Sequence, residues 1–165
     1  MARAQTNYPI VGAWGFTLGQ TLDDSHPGIT LLTNHIYSFC PSNGFRNFDT
    51  YGICTTKGKV IVAIEGSRTF NEFNVFCMER KTISQLYTAK YGPPTETNIV
   101  ENSVEYRQGS RRISITSTLS QPYKISVSYG DELLAQQALK EVEDEKAKAE
   151  REQLEKAKKE TGNDF

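Results

Sequence analysis

The stretch Arg112-Ile113-Ser114-Ile115-Thr116-Ser117-Thr118-Leu119-Ser120-Gln121-Pro122-Tyr123-Lys124-Ile125-Ser126-Val127-Ser128-Tyr129 decides the fold class. In its first half Ile113 and Ile115 alternate with Ser114 and Thr116. In its second half Tyr123, Ile125, Val127 and Tyr129 alternate with Lys124, Ser126 and Ser128. A period of two puts successive side chains on opposite faces of an extended chain. Strands over 112–118 and 123–129 are expected, each with one buried and one wet face. That is the pattern of an antiparallel sheet covered on one side only.

Working backwards, residues 103–107 (Ser-Val-Glu-Tyr-Arg) predict a third strand. Before it, Ile83, Leu86, Tyr87 and Ala89 recur at helical spacing and predict a helix over 82–91. Tyr91-Gly92-Pro93-Pro94 stops that helix, since Gly ends it and two prolines forbid continuation.

The first half of the chain offers a similar series. Residues 35–40, 48–55 and 59–65 are rich in β-formers, and Thr56-Lys57-Gly58 supplies the glycine of a tight hairpin. Val60, Val62 and Ile64 alternate with Ile61 and Ala63, so this strand is apolar on both faces and expected to be covered on both. Ahead of these strands, Thr17 and Gln20 form a capping box and predict a short helix within 14–24, ended before Pro27. Residues 66–76 read as a connector whose Phe70, Phe73, Val75 and Phe76 are apolar enough to pack.

The two halves thus share an order, a helix followed by three strands, over about 14–65 and 80–129. The expected fold is α+β: an antiparallel sheet of about six strands from two such units, both helices on one face, within a domain spanning 1–130. The other face is left as a broad, wet, pleated surface.

The motifs also resemble the β-lactamase-inhibitor-protein-like fold, whose single unit is shared by small lipoproteins of the outer-membrane assembly machinery. Gly15, Leu18 and Gly19 match in the first half, Gly58, Lys59 and Val60 at its last strand, and Leu86, Tyr91, Gly92 and Pro93 in the second half. The similarity covers about residues 14–129. The family helix usually ends Leu-Gly-x-Pro, an ending the first half lacks. The resemblance implies protein recognition by a concave sheet in a bacterial envelope, without catalysis, and names no partner.

From Asp131 to Glu160 there is no Gly or Pro, and Ala, Glu, Lys, Gln and Leu dominate. These strong helix formers predict about 30 residues of helix, roughly 45 Å long. Asp131 and Glu132 suit the positive end of its dipole, Asp144–Lys148, Glu152–Lys156 and Glu155–Lys159 are favourable i,i+4 pairs, and Gly162 marks the stop. Leu134, Ala138, Leu139 and Val142 form an apolar stripe over the first turns, and beyond Val142 the stripe fades. The first turns of the 131–165 extension are therefore expected to dock and the rest to project. A homo-oligomer formed through this helix is the alternative role.

Composition narrows function more than it defines it. The net charge of −1 divides unevenly: from Asp131 onward there are 11 acidic and 7 basic side chains, −4, against 12 basic and 9 acidic before it, +3. A body at +3 is too weakly basic to make nucleic acid the favoured partner. No apolar run approaches the ~20 residues of a membrane span. The N-terminal residues lack the apolar stretch of a secretory signal. Two compartments stay open, the cytoplasm, or the periplasm if a signal was removed. Cys40, Cys54 and Cys77 form no CxxC pair and no His stands at ligand spacing from them, so no metal site is expected. Buried inert thiols, or one disulfide in an exported protein, both fit.

Catalytic chemistry is sparse. The only histidines are His26, which with Pro27 after it reads as a loop residue, and His35. A hydrolase would have to be built around His35, Asp49 and Cys54. Gly12-x-x-Gly15-x-x-x-Gly19 lacks the Lys-Ser/Thr of a phosphate loop, and no cofactor is expected. By contrast Arg107, Arg111, Arg112 and Lys124 cluster with Tyr106 and Tyr123 in the second meander, a mixture common at protein interfaces. Tyr51, Tyr106, Arg107, Arg112, Tyr123 and Lys124 are the candidate binding residues, and another protein is the expected partner.

Overall fold

The computed structural model describes residues 8–41 and 48–161, with side chains to Ala157. The assigned N-terminal tail before Tyr8 and the stop at Gly162 lie outside the described residues. The chain is α+β, as expected, but its sheet is larger. Among the described residues it contains eight antiparallel strands, not about six, and there is a separate two-stranded hairpin.

The hairpin comes first, β1 (Gly12–Ala13) and β2 (Phe16–Thr17). A four-stranded meander follows: β3 (Ile29–Thr33), β4 (Ile36–Phe39), β5 (Thr50–Thr55) and β6 (Ile61–Phe70). Helix α1 (Phe73–Tyr91) leads to a second meander of β7 (Glu96–Asn98), β8 (Ser103–Gln108), β9 (Arg111–Thr118) and β10 (Tyr123–Asp131), then helix α2 (Glu132–Thr161). The strand order β3-β4-β5-β6-β10-β9-β8-β7 sets the two meanders side by side, joined where their last strands pair. That central seam runs in unbroken register from Tyr123↔Phe70 to Gly130↔Ala63.

Apart from register shifts at Leu31/Thr33 and Cys54/Thr55, alternation assigns each strand residue a side. Ile53 and Ile64, Ile113 and Ile115, and Ile125 and Val127 all point to one inner face and are at most 2% exposed. Helix α1 lies on this face. Phe76 is fully buried and stacks on Tyr123, while Tyr87 and Tyr91 pack near Tyr106 and Tyr129. The helix begins nine residues earlier than expected because Phe76 is buried on the sheet within its first turn, with Phe73, itself 51% exposed, packed on Phe76 and Tyr123 rather than lying in a connector. It stops at Gly92, whose φ of 88° is left-handed and whose N–H donates to the Thr88 carbonyl at 3.0 Å.

The expected first helix is absent. Residues 14–24 instead run beside the start of β6: the Gly19 N–H donates to Ile61 O, Ile61 N–H to Gln20 O and Leu22 N–H to Lys59 O, each at 2.8 Å. Pairing with a strand satisfies more of this segment's backbone than a single capped turn does. Leu18 and Leu22 are thereby buried beside β6, while Ile10 is buried at the second meander, its N–H donating to Gln108 Oε1 at 2.7 Å, so α1 is the one helix on the inner face among the described residues. The hairpin turn holds Trp14 at φ 51° and presses its indole onto Gly66, flanked by edge-on contacts with Phe48, Tyr51 and Tyr129.

Arg111 fastens this N-terminal segment. Its guanidinium donates to the carbonyls of Ile10 and Leu18 at 3.0 and 3.3 Å and pairs with the buried Asp131 at 3.4 Å. Asp131 also caps α2, its Oδ1 accepting the N–H groups of Leu133 and Leu134 at 3.2 and 3.4 Å. One ion pair thus links the start of the fold, the end of β10 and the departure of α2.

Candidate binding face

The side of the sheet opposite α1 carries the second set of alternating residues. Strand register arranges them in rows. One row runs Thr50, Ser67, Ser126, Thr116, Ser103, Asn98 across six strands. The next runs Ser38, Gly52, Glu65, Ser128, Ser114, Glu105, Glu96. A third, shorter row is Thr69, Lys124, Thr118. Neighbours along each row stand about 4.8 Å apart, the spacing of hydrogen-bonded strands. The result is a lattice of short polar side chains, mostly hydroxyls. Thr69, Thr116 and Thr118 are exposed, Ser126, Ser128 and Ser114 half-buried. Ser67 is buried and hydrogen-bonds the Thr50 hydroxyl at 2.7 Å. Asp49 accepts from the N–H and hydroxyl of Thr69 at 2.8 and 3.1 Å, fixing that corner.

Charged groups border the lattice at β8 and β9. Arg107 pairs with Glu105 at 2.8 Å and with Glu132 at 2.7 Å, and Arg112 approaches the same two carboxylates at 3.6 and 3.8 Å. The hydrogen bond that Arg107 donates to Glu105, then the Glu105 charge, then the hydrogen bond to Glu132 and its charge, hold the guanidinium above its usual value. Two cations and two anions balance. The basic cluster read from the sequence is therefore neutralised on the spot. Lys124 has no carboxylate within 4.0 Å among the described residues and is the uncompensated cation of the lattice.

The six candidate residues divide between the faces. Arg107, Arg112 and Lys124 stand on the outer face. Tyr51 and Tyr106 do not: they are 8% and 2% exposed on the inner face, and the Tyr106 hydroxyl lies 3.0 Å from that of Thr88 on α1. Tyr123 also points inward, between Phe73 and Phe76. The correction follows from the period of two. Tyr106 and Arg107 are consecutive, as are Tyr123 and Lys124, and consecutive strand residues never share a face. The same rule turns Arg111 inward. The residues that reasoning missed are Ser67, Ser114, Thr116, Ser126 and Ser128, which the wet half of the alternation already marked.

Helix α2 leaves most of this face uncovered. It runs across one end of the sheet, from β10 over β6 to where Ile36, Cys54 and Val62 face Ala138, Leu139 and Val142 around a shallow space of about 290 Å³. Lys57 fastens it there: its backbone N–H donates to Glu141 at 3.0 Å and its ammonium pairs with Glu145. Of the expected stripe Leu134 and Ala138 are half-buried, whereas Leu139 and Val142 are 60% and 52% exposed, and every residue from Val142 to Ala157 is exposed.

The grouping of His35, Asp49 and Cys54 is not assembled. Asp49 lies five residues from Cys54 along β5, roughly 17 Å away in an extended strand. The Cys54 thiol is pushed up by burial and then by Glu65, which keeps it protonated and a poor nucleophile. All three cysteines are free thiols, with Cys40 and Cys77 exposed rather than buried. Among the described residues no three His, Cys, Asp or Glu side chains converge to hold a metal, and no helix is long and apolar enough to cross a membrane.

With this geometry in hand, comparison with known proteins adds no relative: no family model, curated protein or solved structure matches the chain at a significant level.

Proposed function

We propose that the protein is a non-catalytic binding module that recognises another protein through the outer face of its eight-stranded sheet. The observation that carries this reading is the row of hydroxyls from Thr50, Ser67, Ser126, Thr116 and Ser103, five strands wide, of which Thr50 and Thr116 are exposed, Ser103 and Ser126 half-buried, and Ser67 is buried. Short side chains on a rigid sheet have little rotamer freedom to lose when a partner covers them. Their regular donors and acceptors suit a polar protein surface, and Lys124 offers one charge for a partner carboxylate. The motif resemblance to a fold that recognises proteins by its sheet points the same way. A bacterial envelope setting rests on that resemblance alone.

The test is affinity capture from the source cells with full-length protein, the Ser126→Arg/Ser128→Arg variant and the Arg107→Ala/Arg112→Ala variant. Outward arginines at the lattice centre leave the core untouched and block close approach. The reading expects a partner held by the wild type, lost with the arginines and weakened by the alanines. Equal capture by all three removes it.

A second reading, self-association through α2, rests on Leu139 and Val142, which remain 60% and 52% exposed one turn apart on a charge-rich helix. Sedimentation of the full chain and of a chain ending at Val142 separates the two. A monomer in both forms eliminates self-association.

A further inference from the structure

The inner face is not filled everywhere. Between α1 and the β1–β2 hairpin opens a cavity of about 550 Å³, within the size range of small-molecule sites. Arg68, Phe70 and Tyr129 form its floor, Trp14 and Phe48 one wall, and Tyr87 part of the other.

Arg68 is the unexpected member. On β6 it pairs in register with Ile125 and belongs to the inward-facing set with Ile64, Gly66 and Phe70. Its guanidinium lies over the Phe70 ring at 5.1 Å, and among the described residues it has no ion pair and no hydrogen bond. A cation drawn partly out of water without an anion is costly, and a bound anion recovers that cost. Among the described residues the other charges at the rim are Lys90 and Glu79, which with Arg68 sum to a single positive charge.

The rest of the lining is preorganised. Trp14 is held in a left-handed backbone conformation that side-chain-bearing residues rarely adopt, a kind of strain that concentrates at ligand clamps. Its ring is fixed by edge contacts with Phe48 and Tyr129 at 5.5 and 5.7 Å. The Tyr87 and Tyr129 hydroxyls, 2.9 Å apart, add hydrogen-bonding capacity beside apolar walls.

We propose that this cavity binds a small aromatic monoanion, its carboxylate or sulfonate paired with Arg68 and its ring system lying against Trp14, Phe48 and Phe70. The site lies on the opposite side of the sheet from the proposed protein-binding face, so the two readings stand or fall separately.

Trp14 is the chain's only tryptophan and reports on the site directly. The probes are anilinonaphthalene sulfonate and phenylnaphthylamine, the same ring system without the charge. With full-length protein the sulfonate is expected to show saturable energy transfer from Trp14. Arg68→Gln is expected to weaken sulfonate binding about tenfold or more, leaving the neutral probe within about twofold, and Arg68→Lys to restore part of the loss. Unchanged far-ultraviolet dichroism confirms that each variant folds. The proposal is overturned if the wild type gives no saturable transfer, or if Arg68→Gln affects neither probe or both alike.

Discussion

The indole of Trp14 rests on the backbone of Gly66 so closely that a β-carbon built there meets the ring at 2.8 Å, and Phe48 at 3.1 Å. Any side chain at Gly66 would have to displace a ring that is itself wedged between Phe48, Tyr51 and Tyr129. Gly66→Ala is therefore expected to destabilise the protein by about 1–3 kcal/mol in urea unfolding, through overpacking. In a Trp14→Ala background the same change should cost well under half as much. Equal costs in both backgrounds would mean that the indole does not enforce the glycine.

Arg111 is expected to be among the most sensitive positions outside the apolar core. Arg111→Met strands the buried Asp131 carboxylate and the carbonyls of Ile10 and Leu18 together. A loss of about 2–4 kcal/mol follows, with Arg111→Lys recovering only part because an ammonium lacks the planar fork. Hydrogen exchange should quicken at Leu18 and Gly19, whose N–H groups lie in the released segment. A loss below about 1 kcal/mol contradicts this role.

The tyrosines under α1 set an alkaline limit. Burial pushes the Tyr87 hydroxyl up to about 12 from an ordinary value of 10.0, and burial, then the neighbouring Tyr87, pushes Tyr129 up as well. A raised folded-state value means the unfolded chain loses its proton first. The stabilisation is then complete below pH 10 and drains away as pH climbs from 10 through about 12. The phenolate absorbance of wild type minus Tyr87→Phe should have a midpoint near 12 in the native protein. A midpoint near 10 at full native dichroism would show that Tyr87 is not held in a dry site.

Cutting α2 after Glu145 should leave the sheet domain nearly unaffected. Every residue from Lys146 to Ala157 is exposed, and the last fastening to the body is the Lys57–Glu145 pair. The expected change in stability is below about 0.5 kcal/mol, with helical dichroism falling in proportion to the residues removed. A large loss would show that the projecting turns pack on another surface, a second copy of the chain included.

Legibility in the sequence followed the strength of the local pattern. The alternation of Ile113, Ile115, Ile125 and Val127 placed β9 and β10 almost to the residue, because one face is dry and the other wet. Strands β3 and β7 escaped notice. Ile29–Thr33 is mostly exposed at the sheet edge and Glu96–Asn98 has only three residues, so neither carries a buried stripe. The helix expected from Thr17 and Gln20 failed because a local capping signal lost to pairing with Ile61, 41 positions beyond Gln20, which no local window weighs. In the candidate site, Arg107, Arg112 and Lys124 were placed on the open face and the three tyrosines were not. The sequence held the rule that separates them, since a strand cannot turn both Tyr123 and Lys124 outward. It did not hold the neutralising contact of Glu132, which depends on where α2 departs from β10.

Position-resolved cross-linking tests the central claim most directly. A photo-reactive residue in place of Ser128, at the middle of the outer lattice, is compared with one in place of Gln85, exposed on α1 behind the sheet. In the source cells the account predicts a discrete adduct with another protein from position 128 and none from position 85. An adduct from position 85 alone, or none from position 128 in a folded protein, would contradict it.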